Sequence, residues 1–284
     1  MSDGDKLAII VGGGLLPLQF AKSARADGRD VFIVALDGFA DADFSGFTVK
    51  RLRIGQISAM MQAMRAAGCR EVVFIGKVQR PATWRRDVGL TLVWTLLRNL
   101  DILFSGDAKV LARIVRIFER DGFVIRGAHE IAPQLLLPVG EHGRSRPGKH
   151  DQRDIKIGID AVQALGRLDI GQCVCVARGR VLTVEAAEGT DAMLERAAGL
   201  NKAGASGRAG VLVKWPQPIQ DLRIDMPTLG PRTVELAAAA KLAGIVVAGE
   251  RVLGADIDKM LSLADQHGMF FSALDPGAHG AAGL

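Results

Sequence analysis

An apolar run, Leu7–Val11, ends in Gly12-Gly13-Gly14; a helix-forming stretch, Leu15–Ala26, follows and is closed by Gly28. A second apolar run, Val31–Leu36, then carries Asp37 at its end. This is a βαβ opening, which commits the first part of the chain to a Rossmann-like parallel sheet. Its glycine turn suits a phosphate or another close ligand. The dinucleotide fingerprint is only partly met, because Pro17 occupies the third glycine position, although Asp37 sits about 20 residues on, where a ribose-binding acid belongs. A nicotinamide-dependent oxidoreductase and a plain tight strand-to-helix turn are both consistent with these residues.

The pattern continues with a helix over Ile57–Ala67 and a strand over Val72–Ile75, followed by Gly76-Lys77-Val78-Gln79-Arg80-Pro81. Loops at the carboxyl edge of a parallel sheet bind ligands, so Lys77 and Arg80 are candidate anion contacts. Ala82–Asn99 reads as a helix with a broad apolar side flanked by Arg85, Arg86 and Arg98. Core packing is its default role, and acceptance of acyl chains or contact with a bilayer is the alternative. Asp107, an N-cap by type, opens the amphipathic helix Ala108–Arg120, and Val124–Ile125 resumes a strand.

The Pro-, Gly-, Arg- and His-rich stretch from Pro133 to Gly148 reads as a domain connection. With 284 residues, two domains are expected, here 1–132 and 133–284. The second reads as mixed α/β: a helix over Arg153–Leu165, a hairpin of Gln172–Ala177 with Val181–Ala186, and a turn Glu188-Gly189-Thr190-Asp191 opening the helix Ala192–Ala198. Cys173 and Cys175 lie two apart in a strand and read as core, not as a metal or redox pair.

The most chemically loaded stretch is Lys214 to Glu235. It follows the strand run Val211–Val213, and Pro216 and Pro218 break the ladder after it. Alternation from Asp221 to Met226 predicts a strand with Asp221, Arg223 and Asp225 on one face. Gly230-Pro231 predicts an N-cap and first helical residue, so a positive helix end should lie just past the carboxylates. Two carboxylates, an arginine and a helix N-terminus suit magnesium and phosphate. The same spacing also suits a solvated sheet face whose ion pairs contribute about 0–1 kcal/mol each.

Composition narrows the function classes. Tyrosine is absent and aromatics are 5%, which argues against base-stacking nucleic-acid platforms. The net charge of +5 suits an anionic small molecule or the anionic face of a membrane. No signal peptide is evident, and the apolar stretch near Leu90–Leu97 falls far short of the ~20 residues of a membrane span, so a cytoplasmic protein is expected. A Gly-x-Ser-x-Gly elbow, a zinc cluster and a Walker lysine are all absent from the sequence, and its five histidines are scattered. Carboxylates, lysines, arginines and glycine turns remain, the equipment for a phosphorylated substrate handled with Mg2+.

Five stretches together resemble the LpxI-type UDP-2,3-diacylglucosamine pyrophosphatases of lipid A biosynthesis. They are Gly12-Gly13-Gly14 with Leu16-Pro17; Gly76-Lys77-Val78 with Arg80-Pro81; Gly106-Asp107; Glu188-Gly189-Thr190-Asp191; and Lys214 through Gly230 with Gln220-Asp221-x-Arg223-x-Asp225. The resemblance covers nearly the whole chain. Ala108 stands where many members carry a second acidic residue, which argues against a metal pair at Asp107. The resemblance implies two domains with the substrate between them. It also implies cleavage of UDP-2,3-diacylglucosamine to UMP and 2,3-diacylglucosamine 1-phosphate (lipid X). Asp225 is the expected key carboxylate, binding Mg2+ or orienting the attacking water, with Asp221 and Glu188 expected beside it on the metal and Asp191 as a catalytic helper. Lys214, Arg223, Thr228 and Gly230 are expected on phosphate oxygens; Gly189, Thr190 and Gln220 line the same site, and Gly12, Gly13 and Gly14 face the nucleotide or sugar. Peripheral association with the inner membrane is expected because the substrate resides in a bilayer, and a homodimer is compatible with the chain.

Overall fold

The computed structural model describes residues 6–78, 107–202, 207–218 and 220–278. The predicted helix over 82–99, and Arg80 ahead of it, lie outside the described residues. The chain divides into two compact units, Met1–Pro133 with Asp221–Asp225, and Gln134–Gln220 with Met226–Leu284.

The first unit contains β1 (Lys6–Val11), α1 (Leu16–Ala26), β2 (Asp30–Leu36), β3 (Thr48–Leu52), α2 (Ile57–Ala66), β4 (Glu71–Ile75), α3 (Asp107–Arg120), β5 (Val124–Ile125) and α4 (Ala128–Ile131). Its five strands form a parallel sheet in the order β3-β2-β1-β4-β5. Strands covered on both faces read as unbroken apolar runs, which is why β1 and β2 are legible in the sequence. Strand β3, by contrast, is an edge strand exposed at four of its five residues, and no apolar run announces it.

The glycine turn after β1 owes its composition to backbone crowding. A Cβ on Gly12 would stand 2.6 Å from Lys77 O, and Gly76, at φ +101°, would place one 2.9 Å from Gly12 C. The β1 and β4 exits therefore cross in direct backbone contact. Gly12→Ala should destabilise the protein by about 1–3 kcal/mol, the usual cost of forcing atoms into a filled space. Denaturant unfolding would measure this; an unchanged midpoint would mean that the crossing has slack.

The second unit contains β6 (Gly140–His142), α5 (Lys149–Arg167), β7 (Cys173–Ala177), β8 (Arg180–Val184), α6 (Gly189–Leu200), β9 (Val211–Lys214), β10 (Thr228–Leu229), α7 (Pro231–Ala239), β11 (Gly244–Ala248), β12 (Leu253–Gly254), α8 (Ile257–Gln266) and β13 (Phe270–Leu274). Six strands form a mixed sheet in the order β6-β13-β11-β9-β7-β8. Strands β9, β11 and β13 are parallel, while β6 and β7 run antiparallel to their neighbours. Gly140–Gly148, read from its composition as part of a linker, thus contributes an edge strand to this sheet. The two-residue strands β10 and β12 pair with each other.

Its core is continuous, with Leu212, Val213, Met193, Leu194, Phe270 and Phe271 excluded from solvent. Each such side chain contributes about 1.5–3 kcal/mol. Cys173 and Cys175 are free and buried; burial pushes the Cys175 thiol up to about 12 and Cys173 well above its ordinary value. Both behave as small core residues.

Candidate functional site

In the second unit, β9 ends at Lys214, which is 4% exposed, beside the first turn of α6. The Lys214 ammonium donates to Thr190 Oγ1 at 3.1 Å. Thr190 Oγ1 in turn donates to Glu185 Oε1 at 2.5 Å. Glu185 is 7% exposed. A buried lysine and a buried carboxylate are therefore joined through one hydroxyl that accepts from the first and donates to the second. Beside this relay, Arg232 Nε donates to Asp191 Oδ2 at 3.0 Å, tying the first turn of α7 to that of α6. Gly230 is the N-cap of α7 and Pro231 its first residue, as Gly230-Pro231 predicts. Gln220 is bonded to Gln172, the residue preceding β7, at 3.3 Å.

The unit thus brings Gly189, Thr190, Asp191, Lys214, Gly230 and Gln220 to the edge of the sheet where β9 ends. Two helix N-termini and a lysine there can neutralise an oxyanion. Thr228 is exposed, and its hydroxyl donates to Met226 O at 3.2 Å. Glu188 precedes α6 and pairs with Arg196; hydrogen bonds from its own backbone and from Arg196 hold its carboxyl below the ordinary range. Two residues of the site escaped the sequence reading. Glu185 sits in a strand-like run, where its only signal is that it shares the inward face with Thr183, both buried. Arg232 reads simply as the start of a helix.

Asp221–Asp225 is a turn, and the strand predicted there does not form. Ile224 and Asp225 both donate their N–H to Asp221 O, at 3.1 and 3.0 Å. The Asp221 carboxylate accepts from the Arg223 N–H at 3.0 Å and from Arg223 Nε and Nη2 at 3.1 and 2.7 Å. Alternation was misleading because an aspartate that bonds the backbone two residues on stabilises a turn as well as a strand can. The turn lies with the first unit. Ile224 packs on that unit's core, and Arg223 Nη1 reaches Glu119 Oε1 at 3.0 Å.

Hydrogen bonds from Arg223 hold the Asp221 carboxyl below its usual range. A depressed folded-state value means that ionised Asp221 stabilises the fold fully above the ordinary aspartate value of about 3.9. That contribution disappears as pH falls through the lower folded value. Asp221→Asn should therefore flatten the acid limb of the unfolding midpoint measured against pH; an unchanged limb would show that the Arg223 contact adds nothing to stability.

In the first unit, Gly13 and Lys77 exchange backbone hydrogen bonds, Gly13 N–H to Lys77 O and Lys77 N–H to Gly13 O, both at 2.9 Å. Gly12 N–H donates to Ile75 O, and Gly14 N–H to Asp41 Oδ1, again at 2.9 Å. The glycine turn and Lys77 are thus brought together at the carboxyl edge of the sheet, with the three glycine N–H groups already bonded within the chain. Asp107 begins α3. Glu119, near the other end of that helix, leads into β5, whose Val124 pairs with Glu71 at the start of β4. Arg223 is therefore anchored towards the opposite sheet edge from the glycine turn.

Among the described residues, no group of three or more His, Cys, Asp or Glu side chains is placed to hold a metal ion. Of the three carboxylates expected as ligands, Asp221 and Glu188 are each engaged by a guanidinium. The oxygen donors present suit a hard cation, and magnesium takes only one or two carboxylates besides phosphate oxygens and water.

Two family models cover the chain: the LpxI N-terminal domain matches residues 6–135 and the LpxI C-terminal domain matches residues 138–272. The chain belongs to the LpxI family. It is 40% identical over 281 residues to the UDP-2,3-diacylglucosamine pyrophosphatase LpxI of Caulobacter vibrioides, a match covering 95% of this chain and 98% of that protein. The oxidoreductase alternative built on Gly12–Gly14 and Asp37 finds no support in this family. Hydrolysis by the family is consistent with a metal ion. Among the described residues no helix is long and apolar enough to cross a membrane.

Proposed function

We propose that this chain hydrolyses the diphosphate of UDP-2,3-diacylglucosamine, giving UMP and 2,3-diacylglucosamine 1-phosphate. The observation that carries the reading is its near-full-length likeness to a protein of that activity. The chemistry available in the chain agrees with it. Diphosphate cleavage proceeds through a loose transition state, so catalysis is mostly positioning and charge neutralisation. Lys214, oriented by Thr190, and the N-terminal turns of α6 and α7 neutralise phosphate oxygens. Asp191 keeps Arg232 at the mouth of α7. Asp225 is the carboxylate that orients the attacking water, and it would also hold Mg2+. When bound, Mg2+ neutralises charge on the phosphate oxygens. Asp221 and Glu188, engaged by Arg223 and Arg196, fix those cations. The substrate carries two acyl chains and resides in a bilayer, so the protein works at the inner-membrane surface.

The test is incubation of the purified protein with UDP-2,3-diacylglucosamine and Mg2+ in detergent micelles, following UMP, with NAD(H) titrated separately by calorimetry. Release of UMP and no uptake of NAD(H) is expected. Binding of the lipid without turnover would identify a carrier, and NAD(H) binding without UMP an oxidoreductase.

A further inference from the structure

A cavity of about 910 Å³ opens in the second unit where β9, β11 and β13 begin, lined by Gly210, Ala243 and Phe270 at its floor. Lys214 stands at the other end of β9. The cavity is therefore separate from the site described above. Arg146, Arg153, Arg178 and Arg208 line its walls, with His150 beside them. They come from four places: the loop before α5, the N-terminal part of α5, the β7–β8 turn and the loop before β9.

Three arginines elsewhere in this unit each hold a carboxylate. Arg196 pairs with Glu188, Arg232 with Asp191 and Arg144 with Asp265. Among the described residues Arg146 donates to Gly143 O at 2.6 Å and Ser145 O at 3.0 Å, and Arg178 Nη2 donates to Lys202 O. Arg153 packs its guanidinium over Gly179, 3.5 Å from where a Cβ there would lie. Among the described residues no carboxylate pairs with the guanidinium of these three.

The two aspartates in the wall are used on the backbone. Asp154, 3% exposed, accepts from the N–H groups of Arg178 and Gly179 at 2.9 and 2.6 Å. That contact fixes the β7–β8 turn, in which Arg178 adopts φ +55°, and so fixes where the Arg178 side chain departs. Asp151 Oδ2 accepts from Gly148 N–H at 2.9 Å, capping α5. Arg208 Nη1 donates to Ala238 O and Leu242 O at 3.3 and 3.2 Å; the other three arginines still outnumber the two aspartates in a concave space, which concentrates anions. Guanidinium forks match phosphate oxygens in particular.

We propose that this cavity is a second ligand site, separate from the catalytic one, that binds a phosphate-bearing anion through Arg146, Arg153 and Arg178. A soluble phosphate compound and a phospholipid headgroup present the same chemistry. The test uses the full-length protein and the Arg153→Ala/Arg178→Ala variant, both side chains being exposed. Pyrophosphate binding is measured by calorimetry, and sedimentation is measured with phosphatidylglycerol vesicles against phosphatidylcholine vesicles. Loss of one of two pyrophosphate sites, or an affinity about tenfold weaker there, supports a small anion. Loss of phosphatidylglycerol binding alone supports a headgroup. In either case UMP release stays within about twofold of wild type, since the catalytic edge is untouched. Arg146→Gln should weaken the same binding and serves if the double variant does not fold. Binding of both probes unchanged in a folded variant would overturn the proposal.

Discussion

Asp225→Ala should lower kcat for UMP release by roughly two to four orders of magnitude, the range contributed by a positioned acid–base group, while leaving the protein folded. The expectation of an intact fold comes from the turn. The Asp225 N–H is bonded to Asp221 O, a main-chain contact that the substitution keeps. Asp221 is held by Arg223, and Ile224 packs on the core of the first unit. The backbone leading into 225 is therefore fixed by the turn, and losing a partly buried carboxylate is expected to remove chemistry more than stability. Asp225→Asn, which keeps the shape and removes the charge, should be nearly as slow. Single-turnover UMP release together with denaturant unfolding separates the two effects. Activity within a few-fold of wild type in a folded Asp225→Ala protein would remove this residue from the reaction.

Thr190→Val should destabilise the protein by about 3–5 kcal/mol, because it cuts a relay between two buried ionisable groups. Valine matches threonine in shape but neither accepts from Lys214 nor donates to Glu185. Both partners are nearly excluded from solvent, at 4% and 7% exposure, so water cannot readily replace the lost hydroxyl. Turnover should fall as well, since the Lys214 ammonium loses the acceptor that orients it. Thr190→Ser keeps the hydroxyl and should stay within about 1 kcal/mol of wild type, its cost being one buried methyl group. Unfolding midpoints of the two variants are the measurement; valine and serine behaving alike would mean that the relay is not a structural unit.

Much of the fold is legible because its signals are local. Val211–Lys214 reads as a strand from composition and is one, and Gly230-Pro231 marks a helix start that the structure keeps. The convergence of Thr190 and Lys214 follows from a general rule of α/β sheets, that strand ends and helix starts meet at one edge. What escaped is non-local. The Arg223–Glu119 pair spans 104 residues, so nothing near Asp221 tells that the turn lies with the first unit. Alternation between Pro218 and Pro227 imitates a strand where an aspartate instead closes a turn. Glu185 looks like an ordinary strand residue until its burial is known. The triple glycine was legible as a turn, but its reason was not: the chain needs it because Lys77 O passes too close for a side chain.

The most direct measurement of the central claim is hydrolysis of UDP-2,3-diacylglucosamine in 18O-labelled water, with mass analysis of both products, for the wild type and Asp225→Ala. Attack of water on phosphorus predicts one labelled oxygen in the phosphate of UMP or of 2,3-diacylglucosamine 1-phosphate, with label appearing far more slowly in the variant. Release of UDP, or unlabelled phosphates in both products, would contradict it.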